Sequence, residues 1–303
     1  MWAGDDPLFK TGTPDDYYFF NNMAGGDVGS TGLIPMRDKV YPLLPDDKVI
    51  VSCDQYALYY DAVNDVPQIR SGWLRVTGSW AELSRDKGYD FWTFVLGGVS
   101  PYYGSPDGGG RGDGKGNLSV EDFRFQDWVQ LAFGSMGIEY FVYASNSEFN
   151  GPVDGFGAKK PGYYAIQTVH AELQALAPVY FDFDWQGALT VLGGKNKLGY
   201  NDSFDEMGGI AAPASRGRLA ASSADRDTLI GVFKHPDGHD GYAVVNYSDP
   251  YFHKTDNVTL RFTDAARAMI WKRGVREVVN LSSNGSLTLE LPYGEGVFVV
   301  PAA

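Results

Sequence analysis

The sequence predicts an α/β fold in the first 180 residues and an all-β fold in the remainder. Apolar runs alternate with helical patterns up to about residue 180, and short alternating segments bounded by turn residues follow. The first pattern is typical of parallel βαβ units, and the second is typical of an antiparallel sandwich. We therefore expect an α/β domain over 1–180, then a linker and a C-terminal β-sandwich domain over 181–303.

Four apolar runs in the first part have the length and composition of buried strands. They lie at about 17–21, 48–53, 90–96 and 138–143. Three helical patterns accompany them, at 73–87, from 119 to 134 or 137, and from 161 onwards. Ser119 with Asp122 forms a capping pattern at the start of the second helix. The third carries Ile166, Val169 and Leu173 on one face, and we expect it to end before Pro178.

The second part contains seven short segments with strand character. We predict strands at 189–192, 228–234, 242–246, 258–262, 277–280, 286–291 and 297–300. The sequences His235-Pro236-Asp237-Gly238 and Asn284-Gly285 are typical of hairpin turns. The stretch from about 194 to 224 is rich in Gly, Ala and Ser. We expect it to be a long connection.

Charge and aromatic content restrict the ligands. The chain of 303 residues has 25 Lys and Arg against 38 Asp and Glu, a formal net charge of −13, and 15% aromatic residues. A negative field repels phosphate backbones and anionic membranes, so we expect neither nucleic acid nor membrane as a partner. The acidic, aromatic composition suits neutral ligands rich in hydroxyl groups.

Targeting signals and cofactor motifs are not evident in the sequence. Residues 1–7 contain no basic region and no apolar core, so we predict no signal peptide. The compartment stays open: cytoplasmic, or periplasmic or secreted if the start is truncated. Cys53 lies in an apolar run and is expected to be a buried packing thiol. His235 and His239 flank Asp237 in a predicted hairpin turn, and we do not expect them to bind a metal. We also expect no cofactor. The Gly-rich stretch 104–117 lacks a phosphate-loop or calcium-loop pattern and is expected to be a mobile loop over the mouth of a site.

Several segments share the motifs of one enzyme family. They are Val49–Tyr56 (VIVSCDQY), Tyr89–Val95 (YDFWTFV), Asp122–Gln126 (DFRFQ), Leu131–Tyr143 (LAFGSMGIEYFVY) and the helix from Tyr163 to Pro178. Their order resembles strands six to eight of glycoside-hydrolase TIM barrels of the β-galactosidase-like kind, and Tyr17–Asn22 takes the place of strand five in this resemblance. His170 stands where that pattern has Asn. A full barrel has eight strands, so the resemblance implies a half β/α barrel over 1–180, followed by the β-sandwich usual in that family.

Glycoside hydrolysis normally uses two carboxyl groups, which a TIM barrel places at the carboxyl ends of its strands. Asp54 directly follows an apolar strand, and Glu139 and Glu148 lie in and just after the last strand of the barrel part. If Glu139 faces the helices instead of the lumen, it needs a partner such as Arg124. Asp6 stands where the resemblance implies an acid/base residue. The family nucleophile follows strand seven, but here 94–98 contains no carboxylate. The candidate catalytic residues are Asp54, Glu139, Glu148 and Asp6.

Sugar-binding candidates lie at or beyond the same strand ends. Aromatic rings contact the C–H faces of sugars, and amides bind their hydroxyl groups. The candidates are Tyr56, Trp92, Tyr102, Tyr103, Tyr143 and Asn146.

The sequence therefore favours a glycosidase that acts on β-linked galactosides, glucosides or related plant-glycan oligosaccharides through paired carboxylates. The alternatives are a non-catalytic carbohydrate-binding remnant of such a barrel and an inert fragment of a longer enzyme. A half-barrel would expose two sheet edges and an apolar face, so we also expect a homodimer or higher homo-oligomer.

Overall fold

The computed structural model describes residues 18–23, 36–43, 49–61, 64–100, 117–194 and 209–303. Asp6, Tyr102, Tyr103, residues 104–116 and residues 195–208 lie outside the described residues. The described part is an α/β unit followed by antiparallel sheets, which confirms the predicted fold class in outline.

The α/β unit is built on a four-stranded parallel sheet and a hairpin. Its strands in chain order are Tyr18–Met23 (β1), Val49–Asp54 (β2), Leu58–Asp61 (β3), Val66–Ile69 (β4), Asp90–Leu96 (β5) and Gly137–Phe141 (β6). The parallel sheet has the order β1-β2-β5-β6, and β3 and β4 form the hairpin that follows β2. All four predicted strands are thus present and parallel. The barrel-like curvature of a half-barrel stays a prediction.

Three α-helices accompany this sheet in the described part of the chain: Trp73–Lys87 (α1), Val120–Ala132 (α2) and Pro161–Tyr180 (α3). The predicted capping box at α2 is confirmed. The Ser119 hydroxyl accepts a hydrogen bond from the Asp122 backbone N–H, and the Asp122 carboxylate accepts one from the Ser119 backbone N–H. These bonds satisfy two backbone donors and fix where the helix begins.

The prediction that α3 ends before Pro178 is wrong, because the helix continues to Tyr180. Proline removes one backbone hydrogen bond, which is a small loss in the final turn. Tertiary contacts hold that turn: Tyr180 is buried, and its hydroxyl donates to the carbonyl oxygens of Leu131 and Ser135.

The second part forms two antiparallel sheets. The strands are Asp184–Val191 (β7), Leu219–Ala224 (β8), Thr228–Lys234 (β9), Asp240–Asn246 (β10), Asp256–Phe262 (β11), Arg267–Lys272 (β12), Val275–Asn280 (β13), Ser286–Leu291 (β14) and Gly296–Ala302 (β15). A six-stranded sheet has the order β13-β12-β15-β10-β9-β7, and a three-stranded sheet has the order β14-β11-β8.

Two of these strands were not predicted. Leu219–Ala224 falls inside the supposed 194–224 connection, which is therefore wrong at its C-terminal end. Its Ala and Ser side chains give no apolar alternation, and β8 is specified by its pairing with β11. Arg267–Lys272 is the other, and it pairs on both sides, with β13 and β15.

Two hydrophobic cores organise the molecule. One contains aromatic residues of α1 and α2, such as Trp73 and Phe125, together with Tyr247 and Phe298 from the antiparallel part. The other lies between the two antiparallel sheets and includes Leu260 and Val299. Because α2 packs against both the parallel sheet and the six-stranded sheet, the helical layer occupies one face of the parallel sheet. Its other face is the candidate site. None of the described helices is both long and apolar enough to cross a membrane.

Candidate active site on the open face of the parallel sheet

Burial alternates along β5 and shows which side chains face away from the helices. Phe91, Thr93 and Val95 are buried, whereas Trp92 and Phe94 are partly exposed. Successive side chains of a strand point to opposite faces, so Trp92 and Phe94 lie on the face without helices. We call this face the open face.

Asp54 and Glu139 share one rung of the sheet on the open face. Asp54 pairs with Phe94, and Phe94 pairs with Glu139. The neighbour of Glu139, Tyr140, points into the helical layer, where its hydroxyl donates to Asp127 at 2.5 Å. Glu139 therefore points the other way. The backbones of Asp54 and Glu139 are two strand spacings apart, about 9.6 Å.

The surroundings of Glu139 favour its protonated form. Burial raises the pKa of the Glu139 carboxyl, and the negative charge of Asp54 raises it further. Glu139 Oε1 is shielded from solvent, and no group in the described ranges forms a hydrogen bond with it. A carboxyl with a raised pKa beside a second carboxylate is the arrangement that separates a proton donor from an ionised partner.

Glu139 does not use the alternative partner that the sequence offered. Arg124 instead forms a two-point ion pair with Glu172 of α3, with N–O distances of 2.8 and 2.7 Å. Both side chains of this pair lie in the helical layer, largely shielded from solvent. Among the described contacts, Arg124 therefore pairs with Glu172 and not with Glu139, the partner that the sequence left open.

Aromatic rings border the carboxylate rung on both sides. Towards the start of the strands, Phe19 meets Trp92 edge to face at 6.1 Å, and Gly137 leaves room for the Trp92 ring. A Cβ on Gly137 would lie 2.5 Å from that ring.

Beyond the strand ends, Tyr56 stacks on Phe141 with ring centroids 5.6 Å apart. Phe149 meets the same Phe141 ring edge to face at 5.1 Å. Rings on both sides of two carboxylates give a surface that fits the C–H faces of a sugar.

The loop after β6 contains the other predicted site residues. Glu148 is exposed, and its backbone N–H donates to Asn146 Oδ1, which also accepts from the Phe149 N–H. The Asn146 side chain therefore shapes this turn. Phe149 was not among the predicted site residues, because an aromatic residue in a polar loop has no sequence signal that shows which strand it packs against.

Tyr143 does not lie on the open face with Glu139, where continued alternation beyond the end of β6 would place it. The strand ends at Phe141, and Tyr143 lines a cavity with Tyr140, Tyr163 and His170 on the side of α3. It is 61% exposed. Tyr143 is thus separated from Trp92 and Tyr56, which remain near the carboxylate rung.

Cys53 and the metal-binding residue types of the described ranges are further candidate sources of chemistry at this site. Burial raises the pKa of the Cys53 thiol to about 12, and the charge of Asp54 adds to this effect, so Cys53 is a protonated packing thiol. In the part of the chain that the structure describes, no group of three or more His, Cys, Asp or Glu side chains is placed to hold a metal ion.

Comparisons with known proteins return glycoside hydrolases among solved structures at low similarity. No family model matches the chain, and no curated protein matches it. A monomeric β-xylosidase from Caulobacter crescentus aligns with 83% of this chain and 55% of its own length, at 10% identity and a TM-score of 0.31. A β-arabinopyranosidase aligns with 94% of this chain and 50% of its own, at 12% identity and a TM-score of 0.22.

A glycoside hydrolase family 97 enzyme from Pseudoalteromonas sp. covers 95% of this chain and 47% of its own, at 13% identity and a TM-score of 0.23. The chain thus spans about half the length of these three solved structures. At these TM-scores the matches carry no argument about activity or mechanism.

Proposed function

We propose that the chain is a glycosidase whose carboxyl pair is Asp54 and Glu139. The observation that carries this proposal is their common rung on the open face, with rings on both sides. In this proposal, residues 1–180 form the catalytic domain and residues 181–303 form the linker and the sandwich domain. The substrates are β-linked galactosides, glucosides or related plant-glycan oligosaccharides, as the resemblance of the motifs implies.

Glu139 is the proposed proton donor. Its pKa is raised by burial and by Asp54, so it keeps a proton at a pH where an ordinary glutamate has lost it. Protonation of the glycosidic oxygen requires such an acid. Asp54, at the carboxyl end of β2, is the ionised partner that attacks the sugar or activates a water molecule.

The surrounding rings position the sugar. Trp92 lies nearer the start of the strands than the carboxylate rung, and Tyr56 lies beyond it. A sugar that packs against either ring brings its linkage to the rung between them. Glu148 lies in the loop beyond β6 and is kept as a second acid to test, since ligand contact from a loop is common.

A panel of aryl β-galactosides, β-glucosides and β-xylosides tests the proposal. We expect turnover by the unchanged chain and a loss of about 100-fold or more in kcat for Asp54→Asn and Glu139→Gln, the usual effect of removing an acid–base group. Glu277→Gln, an exposed acid on β13, is the matched control and should keep full activity.

The same panel separates the proposal from the alternative. Sugar binding by calorimetry without turnover of any glycoside would favour a carbohydrate-binding protein. Full activity of both Asp54→Asn and Glu139→Gln would refute this carboxyl pair.

A further inference from the structure

Helix α3 presents a surface that is unusual for contact with water. Of the 20 residues in Pro161–Tyr180, the only carboxylate is Glu172, and there is no Lys or Arg. Glu172 is in the ion pair with Arg124. Burial lowers the pKa of the His170 imidazole, which disfavours its charged form. A helix exposed to solvent normally carries charges on its outer face, and α3 carries none there.

A groove runs between α3 and β6. It consists of a cavity of about 260 Å³ and a neighbouring one of about 530 Å³, which share His170 and Gln174 as lining residues. Its lining contains exposed large side chains, and the exposed hydrophobic residues there are Met136, Tyr143 and Phe181. Apolar residues of this size concentrated beside one groove indicate an interaction surface.

Strand β6 borders this groove and is an edge of the parallel sheet. Within the described ranges, β6 pairs only with β5, and β1 at the opposite edge pairs only with β2. In the part of the chain that the structure describes, each edge therefore offers backbone N–H and C=O groups that can pair with another strand. Both edges run in the same direction, because all four strands are parallel.

The two edges are complementary to each other. When a second copy is placed by a two-fold axis parallel to the strands, its β1 lies beside β6 and its β6 lies beside β1, both as parallel pairs. Two four-stranded sheets then make a closed ring of eight parallel strands, the number that closes a β/α barrel. Closure leaves no free edge, and the open face becomes the interior wall.

The surface that two copies would bury between them is close to the smallest area found in specific complexes. One face of a 20-residue helix measures about 30 by 10 Å, and each of the two equivalent contacts buries such a face of α3 and the surface that covers it. The helix faces alone therefore bury about 1,200 Å², the lower limit for specific complexes. The paired strands add to this area.

We propose that a second copy of this chain covers the α3–β6 groove and closes the parallel sheets into one eight-stranded barrel. Asp54 and Glu139 of both copies then face a common interior, so each site is completed by its neighbour. The dimer itself does not depend on the chemistry of the site. The proposal that hydrolysis takes place in the shared interior rests on the proposed function.

Light scattering after size-exclusion chromatography tests the assembly. At about 50 µM, we expect a species of twice the 33.2 kDa of one chain, which dissociates towards one chain in the low-micromolar range expected of an interface of this size. Gln167→Glu and Gln174→Glu add a charge to the exposed groove wall without changing side-chain shape. Each should weaken the dimer at least about tenfold, since a charge would have to be desolvated in the contact.

Asn280→Asp makes the same chemical change at an exposed position on β13 and should leave the dimer intact. Hydrogen exchange of the β6 amides gives a second measurement on the unchanged chain. Their protection should fall when the sample is diluted below the dissociation midpoint.

Each result either supports or overturns the proposal. A stable species of 33.2 kDa at 50 µM, a dimer that the groove variants leave unchanged, or larger open assemblies would overturn it. A dimer that hydrolyses no glycoside would refute the proposed function alone. A monomer with full glycosidase activity would refute the assembly alone.

Discussion

The buried carboxyl group of Asp127 makes the stability of the protein depend on pH. Asp127 is fully buried on α2, with the Tyr140 hydroxyl as its hydrogen-bond donor. Burial raises its pKa from 3.8 to about 8, and the nearby charge of Glu172 adds to the rise, while Arg124 and the bond from Tyr140 oppose it. The native state therefore keeps a proton that the unfolded chain has already lost.

The sign and size of the effect follow from this difference. Below about pH 4 the Asp127 carboxyl is protonated in both the native and the unfolded state, so its titration does not change the free energy of unfolding. Between pH 4 and 8 only the unfolded state releases the proton, so the free energy of unfolding falls by about 1.4 kcal/mol per pH unit. Over about four units the loss reaches about 5–6 kcal/mol, and above pH 8 it stays constant.

Replacing Asp127 by asparagine removes this pH dependence. The introduced amide keeps an oxygen for the Tyr140 hydroxyl but buries an N–H₂ group, at a cost of about 1–3 kcal/mol that does not vary with pH. The variant should therefore be somewhat less stable than the unchanged chain near pH 4.5 and more stable by about 2–4 kcal/mol at pH 9.

Urea unfolding at pH 4.5, 6, 7.5 and 9 measures the effect. The difference between the two chains isolates Asp127, because every other titrating group is common to both. Asp182→Asn changes an exposed aspartate just after α3 and should follow the unchanged chain at every pH. Parallel curves for Asp127→Asn and the unchanged chain would refute the raised pKa.

Three further predictions follow. Glycosidase activity should be bell-shaped with an optimum near about pH 5–6.5, and activity should fall as the pH rises through the raised pKa of Glu139; a rate that is flat from pH 4 to 9 would contradict a carboxyl pair. Glu172→Gln leaves the guanidinium of Arg124 buried without its counter-charge, so the free energy of unfolding measured in urea should fall by about 3–5 kcal/mol. The double variant Arg124→Met/Glu172→Leu should recover most of this loss. A loss under about 1 kcal/mol for the single variant would be inconsistent with a buried pair. Gly137→Ala places a Cβ 2.5 Å from the Trp92 ring. The near-UV circular dichroism spectrum should therefore change, and the free energy of unfolding should fall by about 1–3 kcal/mol. An unchanged spectrum would show that Trp92 does not pack against Gly137.

Local signals in the sequence predicted the four parallel strands and three helices of the α/β unit, but not the β3–β4 hairpin. The capping box of Ser119 and Asp122 located the start of α2, and the run Asp90–Leu96 matched β5 residue for residue. Such signals lie within a few neighbouring residues. Strand β8 gave no such signal, because its Ala and Ser residues become a strand only when β11 is present to pair with them.

The candidate site was predictable as a set of residues but not as an arrangement. Asp54 follows an apolar strand, so its place at a strand end could be read from the sequence. The sequence does not show whether Glu139 faces the helical layer or the open face, because the alternation of residues along β6 is the same in both cases. The contact of Tyr140 with Asp127 decides it, and that contact joins residues in different elements.

A shift of β6 by one residue would be energetically unfavourable, and this keeps Glu139 on the same rung as Asp54. A slip of one residue in β6 would turn Tyr140 to the open face and direct Glu139 towards the buried Asp127. Two carboxyl groups would then meet where one already has a pKa of about 8, and the hydrogen bond from Tyr140 would be lost. The slip would also remove Gly137 from the Trp92 ring, where a larger residue finds no room. The groups that fix the position of Glu139 therefore lie mainly outside the open face, in the helical layer and at Gly137, which is why substitutions there are expected to affect the site without touching a ligand.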